Sequence, residues 1–158
     1  MACQYVHCAS FERLPGDAPL TGPIVLSGTE FSSSGISLIT TVPTGSDCPG
    51  TVPGILAPSN NFSEYPVLTS MDPSNPNLCN DVPVRIDFAT PVDEMWIMFR
   101  GAHVAYRLDL YSADGTLVTA ISGTPTTPYY KIAFRTSNAS YMILDSDAAT
   151  AISMISFP

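Results

Sequence analysis

The chain has 158 residues, a length that suits one domain burying about 70% of the surface its unfolded form exposes. Hydrophobic residues make up 45%, which excludes a disordered chain. The net charge of −8, with six Lys plus Arg in all, excludes a nucleic-acid binder or a protein held on an anionic membrane surface, because either needs clustered cations.

The opening, MACQYVHCASFERLP, has no basic region followed by an apolar stretch, so it does not read as a secretory signal. No run of apolar residues is long enough to span a membrane, so no membrane insertion is expected. Strands are expected over 9–14, 23–27 and 35–42. Residues 43–83 hold eight of the fifteen prolines amid many Ser and Asn, and read as a long excursion with little regular structure. Its apolar residues, Phe62, Tyr65, Val67 and Leu68, point to a packed excursion rather than a loose linker. Val84, Ile86 and Phe88 alternate with polar residues, and so do Tyr106, Leu108 and Leu110 with Arg107 and Asp109. That is the period-2 pattern of half-buried strands. Asp114-Gly115 then stands between two β-rich runs, the strongest short-range hairpin signal in the chain. Further strands are expected over 93–100, 116–121, 129–136, 139–145 and 151–157, with a turn rather than a helix near 145–150. Many short strands separated by turn residues predict an all-β fold, an antiparallel β-sandwich of jelly-roll type over residues 1–158.

Charged residues are 13% of the chain, about half the usual share. A polar surface built from Ser, Thr, Asn and backbone is common in extracellular and particle-surface β proteins, and that location is expected here. The four cysteines, Cys3, Cys8, Cys48 and Cys79, are compatible with two disulfides in any of three connectivities. Free thiols are the alternative, and zinc would need a second close ligand pair beside Cys3, His7 and Cys8. A bridge between Cys48 and Cys79 would close the proline-rich excursion.

The sequence holds no nucleophile elbow, phosphate loop or dinucleotide fingerprint. Its two histidines, His7 and His103, offer no triad: His7 is adjacent to Cys8, and neighbours on a strand face opposite ways. No catalytic residue and no cofactor are expected. Glu12 and Asp87 lie among apolar residues in strand-like sequence. They read as outward-pointing acids, or, with Asp145 and Asp147, as hard oxygen ligands for a calcium ion. Tyr111, Tyr129 and Tyr130 are candidates for a sugar-stacking surface. Trp96, within Met95-Trp96-Ile97-Met98-Phe99, is expected in the core. Asn61-Phe62-Ser63 and Asn138-Ala139-Ser140 match the glycosylation sequon.

Several phrases occur in a telling order: Ser10-Phe11-Glu12-Arg13-Leu14-Pro15, Gly35-Ile36-Ser37-Leu38, Arg85-Ile86-Asp87-Phe88-Ala89-Thr90-Pro91-Val92, Leu108-Asp109-Leu110-Tyr111-Ser112-Ala113-Asp114-Gly115 and Ile152-Ser153-Met154-Ile155-Ser156-Phe157. In this order they resemble the jelly-roll domains of bacterial exported proteins of the PEP-CTERM type, which are similar to carbohydrate-binding modules. The resemblance implies a glycan-binding or surface-display role. It departs at Ser153 and Met154, where the pattern carries Asp and Asn.

Together these features predict a non-catalytic recognition module binding glycan or a protein surface. The rival expectation is a structural subunit of a filament, sheath or virus particle that acts by self-assembly as a homo-oligomer or larger array. A hydrolase with unrecognised acids is the third reading.

Overall fold

Strand periodicity and bulges, rather than helices, organise this chain. The computed structural model describes residues 5–14, 20, 22–43, 48–56, 66–100, 105–127, 129–146 and 152–158. Among the described residues ten strands follow in chain order: β1 His7–Ser10, β2 Ile24–Val25, β3 Ile36–Thr41, β4 Val52–Leu56, β5 Val67–Met71, β6 Val84–Arg100, β7 Tyr106–Tyr111, β8 Leu117–Gly123, β9 Tyr129–Ser146 and β10 Ile152–Phe157. A 3₁₀ turn, Ser32–Ser34, precedes β3. Among the described residues no helix is long and apolar enough to cross a membrane.

Every strand pairing is antiparallel. Two long strands fold the sheet back on itself. The first limb of β6 pairs with β3, and its second limb pairs with β10. β9 follows β6 along both limbs, with register shifts between Asp87 and Glu94. The sequence shows why the corner falls there. Pro91 has no N–H to give a ladder, and Ala89, Thr90 and Pro91 are exposed. Opposite them Asn138 takes φ 54°, and its N–H donates to Asp93 Oδ1 at 2.7 Å. An extra residue in one strand bends it and tightens its twist, which is what a corner needs. The expected strands 84–88 and 93–100 are therefore one bent strand, as are 129–136 and 139–145.

One layer runs β3-β6-β9-β7-β8. The other runs from β9 through β6 to β10, with β1 beside the end of β10 and the β5-β4-β2 ladder joined to its start. Ile39, Ile86, Leu108 and Leu144 of the first layer join Ile55, Leu68, Ile97 and Ile155 of the second in one apolar cluster. The antiparallel β-sandwich expected from the alternation is the observed architecture.

The hairpin forms where Asp114-Gly115 stands, and its loop is longer than the two-residue form. Gly115 N–H donates to Ser112 O at 3.0 Å, and Ser112 N–H donates to Thr116 O at 2.9 Å. Gly115 takes φ 85°, a left-handed position that suits glycine. A three-residue loop ending in a left-handed residue gives a bulge, and the register does shift after Leu110.

The excursion over 43–83 differs from expectation, because it contains two paired strands, β4 and β5. Gly54 lets them form: a Cβ there would collide with Met71 Cε and approach Ile24 O to 2.8 Å. β5 is buried along its whole length. Phe62 and Tyr65 lie outside the described residues, as do His103, Asn61 and positions 147–150 of the turn expected near 145–150, whose first two residues still belong to β9.

The Cys48–Cys79 disulfide closes this unit, with Cα atoms 5.9 Å apart and a sequence separation of 31. Hydrogen bonds fix the same segment. Ser70 Oγ donates to Cys79 O at 2.7 Å, and Asn80 Nδ2 donates to Ser70 O at 2.8 Å and Pro76 O at 2.9 Å. Cys8 is also disulfide-bonded, and Cys3 lies outside the described residues. No described cysteine is free, so the thiol and zinc readings do not apply to Cys8, Cys48 or Cys79.

Candidate functional site

Residues directly paired across strands share a face of the sheet, so register lays out the outer surface of the first layer. One row crosses all five strands: Leu38, Asp87, Tyr141, Tyr111 and Leu117. A second row is Thr40, Arg85, Ile143, Asp109 and Ala120. A third is Asp145, Arg107 and Ser122. Five strands span about 19 Å at the usual spacing. Leu38 and Leu117, at the two ends of the first row, are 38% and 48% exposed.

The middle of this face is aromatic. Tyr111 and Tyr141 stack with centroids 4.9 Å apart and planes inclined by 13°. The Arg85 guanidinium lies 3.8 Å from the Tyr141 ring centroid. Arg85 is itself held by Asp87: Nη2 donates to Oδ1 at 2.8 Å and Nε to Oδ2 at 3.0 Å. This hydrogen-bonded carboxylate raises the Arg85 pKa above the ordinary arginine value. Arg107 repeats the motif, with Nε donating to Asp109 Oδ1 at 2.9 Å and Oδ2 at 3.0 Å. Both pairs arise from i, i+2 spacing on one strand, which places the two side chains on the same face. The face thus offers stacked rings beside fixed hydrogen-bond donors and acceptors.

Of the three tyrosines proposed from sequence, Tyr111 belongs here. Tyr130 faces the other way, packed on the core with its ring 6.3 Å from both Phe99 and Tyr106. Burial, then its hydrogen bond to Tyr130, pushes the Tyr106 pKa up to about 12. The Tyr129 side chain lies outside the described residues. Tyr141 and Arg85 were missed by sequence reading. Tyr141 carries the alternation of β9, yet nothing local announces that β7 will place Tyr111 beside it.

The calcium ligands proposed from sequence do not assemble. Glu12 sits against the other layer and accepts from Arg100 Nη2 at 3.1 Å. Asp87 accepts from Arg85, and Asp145 stands opposite Arg107 two rows away. Asp147 lies outside the described residues. Among the described residues no three His, Cys, Asp or Glu side chains come together as a metal site.

Trp96 also corrects its expectation. Met95, Ile97 and Phe99 point into the core, so Trp96 points out from the second layer and is half-buried. Lys131 Nζ covers its ring at 3.0 Å from the centroid. Beside it Arg135 approaches Glu94 at 3.7 Å. The Tyr5 phenol hydrogen-bonds Glu94, which raises its pKa above the usual value.

No family model matches the chain, and no curated protein does. Among solved structures, the chain is similar to the xylan-binding CBM22-1 domain of Paenibacillus barcinonensis Xyn10C, at 11% identity and TM-score 0.40, covering 99% of this chain and 92% of that domain. It is similar to an arabinose-bound GH51 α-L-arabinofuranosidase, at 14% identity and TM-score 0.42, over 96% of this chain and 29% of that one. It is also similar to the enzymatically active domain of tailspike protein 4 of bacteriophage CBA120, at 13% and 0.39, over 74% and 18%. The chain thus spans under a third of the length of the latter two. At these scores function has to be argued from the chain's own geometry.

Proposed function

We propose that this protein is a non-catalytic recognition module, displayed outside the cell or on a particle, that binds glycan across the outer face of β3-β6-β9-β7-β8. The observation that carries the reading is the stacked Tyr111–Tyr141 pair with the Arg85–Asp87 ion pair against it. Sugars present apolar C–H faces and hydroxyl edges together. A surface that binds them needs aromatic area and oriented polar groups side by side. The disulfide-bonded Cys8, Cys48 and Cys79 accord with an oxidising location. The aspartates of this face neutralise arginines, an arrangement that serves positioning rather than proton transfer.

A glycan array of the intact protein tests the reading. Saturable binding is expected, and Tyr141→Ala or Arg85→Ala should abolish it while leaving the far-ultraviolet circular dichroism unchanged. A blank array, or binding indifferent to both substitutions, would refute it.

One observation favours the second reading, a self-assembling subunit. β8 is Leu-Val-Thr-Ala-Ile-Ser-Gly, without charge or proline, and among the described residues it is an edge strand that pairs with β7 alone. Such edges are templates for strand addition. Size-exclusion chromatography separates the readings: large ordered species that revert to monomer in Ala120→Lys would support assembly.

A further inference from the structure

Resting on the glycan reading above, we infer that this face selects uncharged glycans and rejects anionic ones, with Asp87 and Asp109 as the residues that set the selectivity. Two arginines beside an aromatic pair would ordinarily form a receptor for uronate or sulfate groups, because the guanidinium fork matches planar anions in a bidentate manner. Here the Nε/Nη2 edge of Arg85 and the Nε–H of Arg107 are already engaged. Asp87 takes Nε and Nη2 of Arg85, and Asp109 takes Nε of Arg107 with both carboxylate oxygens. Among the described residues the face holds Asp87, Asp109 and Asp145 against Arg85 and Arg107, an acid excess of one, on a chain of net charge −8.

An anionic sugar would either displace an aspartate from the bonded edge of its arginine or take the remaining Nη donors, and in both cases it would sit beside a carboxylate of like charge. A sugar hydroxyl meets no such obstacle. Each guanidinium has five N–H donors and each carboxylate about four lone-pair sites, so a hydroxyl can add to either partner with the ion pair intact. Specificity of this kind comes from a built-in repulsion as much as from attraction. The long-range field acts in the same direction, slowing the approach of polyanions at low salt.

Calorimetric titration of the intact protein with neutral xylo-, manno- and cello-oligosaccharides, and with oligogalacturonate and heparin oligosaccharides, tests the inference. The wild type should bind a neutral series at least about tenfold more tightly than either anionic one, with little dependence on salt. Asp87→Asn combined with Asp109→Asn should raise oligogalacturonate affinity by about tenfold, and added salt should erode the gain. Asp87→Asn alone should move in the same direction, and keeps the test available if the double variant does not fold. Anionic binding by the wild type as tight as neutral binding would overturn the selectivity and leave the glycan reading standing. So would the absence of any gain in folded Asp87→Asn. Silence toward every oligosaccharide would instead remove the glycan reading, and this inference with it.

Discussion

Removing the Cys48–Cys79 bridge should cost about 4 kcal/mol, and the figure follows from the loop it closes. With a sequence separation of 31 between the two cysteines, the chain-entropy relation gives about 12 cal/mol/K, or about 3.7 kcal/mol at 25 °C. The variant is Cys48→Ser with Cys79→Ser, since a single substitution would leave a reactive thiol. Both positions are half-buried, so serine is tolerable at each. Urea unfolding followed by tryptophan fluorescence should show a lower midpoint and a steeper slope, because the unfolded chain without the bridge exposes more surface. Ser70→Ala provides an internal check. It removes the bond to Cys79 O and should cost about 1 kcal/mol or more by itself. Combined with the bridge deletion it should cost less, because the two act on one residue. A bridge deletion costing under about 1 kcal/mol would refute the entropic account. It would mean that the β4–β5 ladder and the Asn80 bonds hold the segment unaided.

Gly54→Ala should destabilise by about 1–3 kcal/mol, read from the same urea midpoint, because the new methyl meets Met71 and the Ile24 carbonyl. A spectroscopic alkaline titration should find one tyrosine ionising at about pH 12, and Tyr130→Phe should bring Tyr106 down toward the ordinary value. Its raised pKa means the stability it contributes is complete below the unfolded value of about 10 and is lost as pH climbs through about 12. Asp114 behaves oppositely. Bonds from the Ser112 hydroxyl and the Thr116 N–H hold its pKa below the usual aspartate value. Its contribution is present above the unfolded value of about 3.9 and fades as pH falls through the lower folded value. The difference in urea midpoint between wild type and Asp114→Asn should therefore shrink in acid, and a constant difference would contradict the role of these two bonds.

The sequence by itself determined whatever depends on near neighbours. The alternation in β7 put Tyr106, Leu108 and Leu110 inside because a strand's side chains alternate whatever it pairs with. The hairpin at Asp114-Gly115 was legible for the same reason, since a turn is closed by residues a few positions apart. Register decided the rest. Met95-Trp96-Ile97-Met98-Phe99 is apolar on both faces, and only the pairing of β6 with β9 and β10 turned Trp96 outward under Lys131. β4 and β5 were hidden among prolines because a strand of five residues gains its stability from a partner rather than from its own propensity. Tyr111 could be proposed from sequence as a binding residue, but its partner could not. Tyr141 is thirty residues on, beyond a hairpin and a bend, and the two rings meet only because β7 and β9 pair in one particular register. A slip of a single residue would send one of them to the opposite face.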